Sequence, residues 1–439
     1  MTRSIKTFEQ VSLTIFRARS LVLSLILVVA SLAFLPLLNR DGDDASTKQP
    51  NTSLLEAQSI LRGKITLPER IHDTAVYDGQ ALNILQPGQT IFFLIHLLAV
   101  GATGAVAMLR VELVLMFVLS VFLFSRALFK LSDGQAVLSM VLAASAMFGA
   151  PYIANLPIAL DGSAYRINHV LSILFMAAFL VLVGSQDLDK KLLLAGLCIG
   201  AAMLFRMQNV LLLLLPLSLI LQDPEGRAWQ ISEAVSTPAA RMALAGRVAR
   251  LFIFPLLAVI IIAGFQMAKF QNPLETGYEY IYVGRSDFLA QRAKDYGLFS
   301  LHFLPENLFR TLFAFPIFEI DGWGIQRIIG DPRGNSILFS QPILLTIFFL
   351  RNSLVTARAK SFLFVSLLLT IPVLFYHNPG IKAPGYMRLS LDYLPLWIAT
   401  IAVFARYAPK SRFVLWASVV SAIWSTLYGV ALLKIGEAA

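Results

Sequence analysis

The sequence is poor in cysteine, histidine and charged residues. Among 439 residues it has one cysteine, Cys198, and five histidines, and only 14% of its residues are Asp, Glu, Lys or Arg. A single cysteine excludes an intramolecular disulfide, and no Cys/His spacing typical of a zinc site occurs. The sequence also lacks the glycine-rich phosphate loop, the dinucleotide-binding pattern and the metalloprotease and serine-hydrolase motifs. These absences argue against the common soluble nucleotide-binding, zinc-binding and hydrolase classes.

Apolar residues are what the sequence has in abundance. They make up 57% of the chain, and the mean hydropathy is +0.72, whereas soluble domains are about 45–50% apolar. A water-soluble fold could not hide this much apolar surface in one core, so the sequence predicts an all-α integral membrane protein. The net charge of +10 is explained by Lys and Arg in cytoplasmic loops. No basic helix interleaved with exposed aromatics is present, so nucleic acid is not an expected partner.

The distribution of charge orients the predicted helices. Apolar windows of roughly 17–25 residues number about twelve. If all of them crossed, the basic segment 223–250 would lie outside, against the positive-inside rule. Segment 87–101 is short, starts with Pro87-Gly88 and carries His96, so we assign it to the membrane interface or a partial dip. About eleven transmembrane helices remain, within a range of roughly ten to thirteen.

This topology makes the chain a multi-pass protein of the inner (plasma) membrane with a cytoplasmic N-terminus. The first apolar stretch follows basic residues and no small-residue cleavage site comes after it, so it is interpreted as a retained signal anchor. Two large loops lie on the outer side. The predicted cytoplasmic segments are 1–20, 126–134, 185–191, 223–250, 351–360 and 406–412. The predicted units are 1–39 (N-terminus and first helix), 40–103 (first outer loop with juxtamembrane helices), 104–268 (helices two to seven), 269–335 (second outer loop) and 336–439 (C-terminal helices).

The first outer loop is rich in carboxylates. An acid just above the bilayer could act as a general base on an acceptor beside a lipid-borne donor. The alternative is a solvated acidic loop without a catalytic role. The acids are Asp41, Asp43, Asp44, Glu56, Glu69, Asp73 and Asp78.

Two arginines fall at the predicted headgroup depth. Arg206 separates two apolar runs, and Arg388 precedes a late apolar helix. Such cations could hold a lipid phosphate; the alternative for Arg206 is that it simply snorkels to headgroups. Asp161 and Arg166, in a polar turn, and Tyr278, in the second outer loop, are candidates for an acceptor or secondary site; the alternatives are an ordinary turn and an interfacial aromatic belt.

Several motifs, in order along the chain, resemble a known family. They are Ala57–Leu67, Asp73–Gln80, Gln86–Gln89, the Gly196-x-x-x-Gly200 helix leading to Arg206, and Arg388–Pro395. Together they resemble polytopic bacterial glycosyltransferases with the GT-C fold, which are relatives of protein O-mannosyltransferases and of the aminoarabinose transferase of lipid A.

The resemblance implies a GT-C-like fold and an inverting transfer of sugar from a polyprenyl-phosphate donor to a glycan, lipid or protein acceptor. It implies a carboxylate base, Asp73 or an upstream acid such as Asp41 or Asp44, and phosphate binding by Arg206 and Arg388. No cofactor is firmly implied, although a divalent metal ion is compatible with the chemistry. The alternatives are a transporter or lipid-linked-sugar flippase, whose ionisable groups would lie mid-span, and an inactive scaffold of an envelope-polysaccharide assembly.

Overall fold

The chain folds as a bundle of apolar helices with two short β-hairpins. The computed structural model describes residues 21–22, 24–31, 51–71, 74–185, 187–223, 225–321, 324–329, 335–350, 356–378, 380, 387–407 and 412–435. The α-helices, besides helical residues 21–22 and 24–31, are Thr52–Leu61, Pro87–Leu131, Ala136–Phe148, Ala150–Leu160, Ala164–Val183, Leu188–Phe205, Leu214–Leu219, Ile231–Ala234, Pro238–Phe270, Phe288–Tyr296, Leu304–Phe313, Ile337–Ser340, Thr346–Phe349, Ala357–Phe375, Leu394–Tyr407 and Arg412–Ile435. Short 3-10 helices are Met207–Leu213, Glu279–Tyr282, Leu301–Phe303, Pro342–Leu345 and Arg388–Asp392, and the antiparallel hairpins pair Thr74–Tyr77 with Gln80–Asn83 and Ile317–Asp321 with Gly324–Ile329.

The predicted fold class is confirmed: the protein is a multi-pass, all-α membrane protein. Within the described residues, six helices are long and apolar enough to cross a bilayer, or seven if the bent pair Ala136–Phe148 and Ala150–Leu160 is one span. The predicted count of about eleven is not confirmed, since among the described residues some predicted spans fold as the shorter apolar helices Met207–Leu219 and Leu394–Tyr407. Arg206, for example, has an extended backbone and ends helix Leu188–Phe205 before the apolar stretch 207–219 begins.

Segment 87–131 folds back on itself at Gly101. The backbone of Gly101 has φ 72°, a value that glycine adopts at little cost. His96 Nε2 lies 2.7 Å from Glu112 Oε1, although sixteen residues of straight helix would separate them by about 24 Å. The two halves therefore lie side by side near the break. Both halves satisfy the length and hydropathy criteria for a span, so composition alone does not distinguish an interfacial segment from a crossing one here.

Contacts between helix ends divide the bundle into two ends. At one end, Lys130 donates to the carbonyl of Val181 over 3.2 Å, and Arg358 donates to the carbonyl of Val183 over 3.0 Å. At the other end, the Asn51 side chain donates to the carbonyl of Gly162 over 2.8 Å. The first end joins parts of predicted cytoplasmic segments to their neighbours, and the second joins parts of the predicted outer loops. We call the second the loop end.

A pair of glycines brings two long helices into close contact. Helix Leu188–Phe205 packs on Pro238–Phe270 along Gly196 and Gly200. A Cβ atom at Gly196 would lie 2.2 Å from the Leu251 carbonyl oxygen, and one at Gly200 would lie 2.7 Å from that of Phe254. Helix packing is the role that the Gly-x-x-x-Gly spacing predicts. The packing fixes the end of helix Leu188–Phe205, and with it the position of Arg206.

Candidate functional site at the loop end

A cavity of about 300 Å³ lies at the loop end of the bundle. Its walls combine the end of the first outer loop, the turn at Arg206, the second outer loop and two late helical segments. The lining is mostly aromatic and aliphatic, with a few polar groups. The lining residues are Gln86, Tyr165, Arg206, Met207, Gln208, Thr276, Tyr278, Leu298, Phe299, Pro372, Val373, Tyr376, Leu389 and Asp392.

Arg206 is held by Asp392 in a buried ion pair. Arg206 Nε donates to Asp392 Oδ1 over 2.9 Å, and Arg206 Nη2 donates to Oδ2 in a second short contact. The two side chains are 8% and 1% exposed, and His169 Nδ1 lies 3.1 Å from Asp392 Oδ1. Two parallel bonds between a guanidinium and a carboxylate form a strong, rigid arrangement. The sequence predicted that Arg206 binds a lipid phosphate, with snorkelling to headgroups as the alternative; in the structure Asp392 neutralises its charge.

Arg388 lies on the same aromatic ring as Arg206. Its Cζ atom is 4.2 Å from the centre of the Tyr165 ring, and that of Arg206 is 5.1 Å away. Arg206 Nη1 also donates to the Tyr165 hydroxyl over 2.9 Å. Among the described residues Arg388 forms no ion pair with a carboxylate, and its buried Nε atom has no acceptor. The structure therefore brings both predicted arginines to one site, and within the part of the chain that it describes Arg388 has no counter-charge.

The second outer loop closes over the cavity through backbone and side-chain contacts. Ser300 N–H donates to the Phe375 carbonyl, and His377 N–H donates to that of Leu298, each over 2.9 Å. The Tyr282 hydroxyl hydrogen-bonds to His377 Nε2. Burial lowers the pKa of His377 to about 4, so the ring is neutral near pH 7. Tyr278, a predicted secondary-site residue, lines the cavity on this loop.

Helix Leu304–Phe313 of this loop has its polar side inward and its apolar side outward. The Asn307 amide donates to the carbonyls of Leu374 and Tyr376 over 2.9 and 2.8 Å. Phe309 and Phe313 on the opposite face are 59% and 54% exposed. Such an arrangement would be costly in water and is favourable against lipid chains. An outward apolar face of this kind is what a helix resting on the membrane would present, and the membrane contact that the aromatic composition predicts stays a prediction.

A second buried ion pair joins the first outer loop to helix Pro238–Phe270. Glu56 is fully buried, and its Oε1 lies 2.6 Å from Lys269 Nζ. Asn83 Nδ2 and the Thr90 hydroxyl donate to Glu56 Oε2 over 2.8 and 2.5 Å, and Lys269 donates to the Asn83 carbonyl over 2.8 Å. Glu56 is thus a structural carboxylate that holds the loop in place.

Of the remaining predicted site residues, those that the structure describes do not line this cavity. Asp41, Asp44 and Asp73, the candidate bases, lie outside the described residues. Asp161 pairs with Arg110 over 3.3 Å at a partly exposed site. Arg166 is buried.

Arg166 Nη1 donates to Asn155 Oδ1 over 3.1 Å, and the Asn155 amide donates to the Arg166 backbone carbonyl. Neither Arg166 nor Asp161 lines the cavity, so their acceptor role stays a prediction.

Sequence reasoning missed three members of the site. They are Asp392, Tyr165 and His169, none of which the sequence analysis names as a site residue. A signal was present in the apolar surroundings of Asp392, because a carboxylate there requires a partner. The partner, Arg206, is 186 residues away, and nothing in the sequence pairs the two.

The described residues contain no cluster of three or more His, Cys, Asp or Glu side chains arranged to hold a metal ion. Within this part of the chain, the chemistry of the cavity comes from guanidinium, phenol and carboxylate groups.

Comparison with solved structures identifies the fold. The archaeal oligosaccharyltransferase AglB from Archaeoglobus fulgidus, solved in complex with an inhibitory peptide and a dolichol-phosphate, matches with a TM-score of 0.50 at 11% identity. The match covers 95% of this chain and 55% of that one. The chain has the GT-C fold.

A crystal structure of the Archaeoglobus fulgidus oligosaccharyltransferase tethered to an acceptor peptide by a disulfide bond gives a TM-score of 0.49 at 12% identity, again covering 95% of this chain and 55% of that one. The GT-C chain described here thus spans about half the length of the solved structures it matches. No protein-family model and no curated protein matches the sequence.

Proposed function

We propose that the chain transfers a sugar from a polyprenyl-phosphate-linked donor to an envelope acceptor at the outer face of the membrane. The observation that carries the proposal is the Arg388 guanidinium beside Tyr165, at an aromatic cavity of the loop end, with no carboxylate partner among the described residues. The GT-C fold supports it, since a structural neighbour with this fold was solved with a lipid phosphate, dolichol-phosphate.

In this proposal Arg388 binds the donor phosphate. A planar guanidinium presents donors that match two phosphate oxygens. As the bond between the sugar and the phosphate breaks, negative charge grows on the leaving phosphate, and a fixed cation stabilises it. Arg206 contributes less charge because Asp392 neutralises it. Its part is to hold Tyr165 and the wall of the cavity in position.

The acceptor is activated by a carboxylate from the first outer loop. Asp73 is the first choice, with Asp44 and Asp41 as the alternatives. The carboxylate takes the proton of the acceptor hydroxyl, and the acceptor oxygen forms a bond to the anomeric carbon from the face opposite the leaving group. The carbon–oxygen bond to the phosphate breaks, releasing polyprenyl phosphate with inversion. Asp392 is not proposed as the base, since both of its oxygens accept hydrogen bonds from Arg206.

Binding of polyprenyl phosphate to the purified full-length chain tests the phosphate site. Arg388→Gln is expected to weaken binding about tenfold or more, because it removes a charge-assisted contact. Arg110→Gln is the matched control, since Arg110 pairs with Asp161 outside the cavity. Equal binding by the wild type and Arg388→Gln would contradict the proposal. A lipid occluded at mid-bilayer, away from Arg388, would favour the transporter alternative.

Release of polyprenyl phosphate from a labelled polyprenyl-phosphate sugar tests the chemistry. Asp73→Asn is expected to slow release while leaving lipid binding intact. Wild-type rates in Asp73→Asn would remove that residue from the mechanism and direct attention to Asp44 and Asp41. Intact lipid binding with no turnover by the wild type on any envelope acceptor would favour the inactive scaffold.

A further inference from the structure

A second and larger cavity, of about 930 Å³, lies at the end of the bundle opposite the loop end. It is bounded by the end of helix Ala164–Val183, the turn 219–226 and the start of helix Pro238–Phe270. The proposed transfer reaction does not use this end. Its charged lining includes Lys190, Arg247, Arg358, Arg406, Asp223 and Glu225.

Most of the carboxylates around this cavity are already engaged. Asp189 pairs with Arg247 over 3.0 Å, and Glu225 pairs with Arg227 over 2.9 Å. The Asp223 carboxylate accepts the backbone N–H groups of Arg227 and Ala228 over 2.8 and 3.0 Å.

Two further acids of the lining, Asp187 and Glu233, are exposed to solvent. Their charges are screened by water and salt, so they compensate an arginine inside the cavity only weakly.

Arg358 differs from Arg247 in having no carboxylate partner within the described part of the chain. One of its nitrogens, Nη2, donates to the Val183 carbonyl over 3.0 Å. Its buried Nε atom has no acceptor among the residues that the structure describes. Another cation, Arg406, lines the same cavity. Two guanidinium groups facing one space repel each other unless an anion lies between them.

The backbone around Arg358 is held firmly. Arg358 N–H donates to the Gly226 carbonyl over 2.9 Å, and Ala357 N–H donates to that of Arg227 over 3.0 Å. The Tyr407 hydroxyl donates to the Glu225 carbonyl over 2.8 Å. The turn 225–227 therefore ties together the beginning of helix Ala357–Phe375 and the end of Leu394–Tyr407. The two arginines are presented from fixed positions, as a preorganised binding site requires.

We propose that Arg358 and Arg406 form a binding site for a phosphate-bearing anion at this end of the bundle. The guanidinium group is the side chain best matched to phosphate oxygens, and an anion here would satisfy the buried Nε atom of Arg358. The phosphate can come from an anionic phospholipid headgroup or from free phosphate in solution. Both sources present the same oxygens to the two arginines.

Thermal unfolding of the full-length chain in detergent tests the site. The probes are inorganic phosphate, dioleoylphosphatidylglycerol, and dioleoylglycerol, which has the same acyl chains without phosphate. Stabilisation of the wild type by the phospholipid alone identifies a headgroup site, and stabilisation by inorganic phosphate identifies a site for free phosphate. Dioleoylglycerol is expected to have no effect. Apparent affinity for the effective probe is expected to fall about fivefold or more in Arg358→Gln and in Arg406→Gln.

Arg247→Gln is the matched control, because it removes the same charge from the same cavity at a residue already paired with Asp189. It is expected to keep the wild-type response. If Arg358→Gln does not fold, Arg406→Gln alone carries the test. If Arg247→Gln and Arg406→Gln lost apparent affinity for the probe equally, the loss would be due to overall charge, and the proposal would be overturned. No stabilisation of the wild type by either phosphate probe would overturn it as well. Thermal unfolding with these probes does not depend on glycosyl transfer, so the outcome is independent of the proposed function.

Discussion

Arg206 and Asp392 meet side-on at the wall of the loop-end cavity, with Arg206 Nε donating to Asp392 Oδ1 over 2.9 Å. Two charges buried this deeply depend on each other, because removing one leaves the other without compensation. The pair also fixes Tyr165, whose hydroxyl accepts from Arg206 Nη1. The site is therefore built around a neutralised cation, and its neighbour Arg388 has no carboxylate partner in the ranges that the structure describes.

This pairing predicts a large loss of stability on breaking it. Arg206→Gln leaves the Asp392 carboxylate buried and uncompensated, at an expected cost of about 3–5 kcal/mol. The double variant Arg206→Gln/Asp392→Asn removes both charges and is expected to recover much of the loss. Unfolding of the purified chain in detergent measures the stability of the single variant and of the double variant. Additive losses in the double variant would show that the two side chains are not coupled.

The Glu56–Lys269 pair predicts coupling between the first outer loop and helix Pro238–Phe270. Glu56→Gln leaves the Lys269 ammonium without its carboxylate, and Lys269→Met leaves Glu56 without its ammonium. Each change is expected to loosen the loop and to raise hydrogen exchange in helix Thr52–Leu61, whereas the double variant is expected to be less disturbed than either alone. Lys294→Met, at an exposed position, is the control. Unchanged exchange in both single variants would contradict this role.

The buried His377 predicts that the second outer loop loosens in acid. Its pKa is about 4 in the folded chain and about 6.5 when exposed. Between these values a released His377 binds a proton that the docked one does not, so docking weakens as pH falls, by at most roughly 3 kcal/mol. Hydrogen exchange of the Ser300 and His377 backbone amides, corrected for the intrinsic effect of pH on exchange, measures this weakening of docking. His377→Gln is expected to abolish the dependence between about pH 6.5 and 4.5.

Some weakening of the docking of the second outer loop in acid is expected even in His377→Gln. Burial alone would raise the pKa of Glu306, but hydrogen bonds and charge from Arg292 and Arg310 hold it below its usual value. The unfolded carboxyl therefore takes up a proton before the folded one does, and this contribution is lost only as pH falls below about 4.3. An unchanged profile over pH 6.5–4.5 in His377→Gln would instead assign the loosening to another group.

The outward apolar face of helix Leu304–Phe313 predicts contact with lipid chains. The chain has one cysteine, so nitroxide labels can be placed singly in a Cys198→Ser background. Labels at Phe309 and Phe313 are expected to be more accessible to oxygen than to a water-soluble nickel complex, because oxygen partitions into the bilayer. A label at Lys294 is the solvent-facing control. Greater accessibility to nickel at Phe309 would place this face in water and remove the membrane anchor.

The sequence by itself determined that this is a multi-pass membrane protein, and it predicts how the segments group at the two ends. Apolar runs require a bilayer, and the asymmetry of Lys and Arg separates the segments that meet at the two ends, because translocating a positive charge is unfavourable. The role of Gly196 and Gly200 was equally readable, since close helix approach needs the absence of a side chain at a fixed spacing. These properties are local or periodic, so they can be deduced without knowing the fold.

Only the tertiary structure decided which charges are free. Arg206 and Arg388 are equivalent in sequence terms, yet one is neutralised by Asp392 and the other is not. The same holds for Glu56, whose partner Lys269 lies at the far end of a distant helix. The interaction of two charges depends on the distance between them and on the burial around them. Both are set when remote segments pack together, and neither is encoded at the residues themselves.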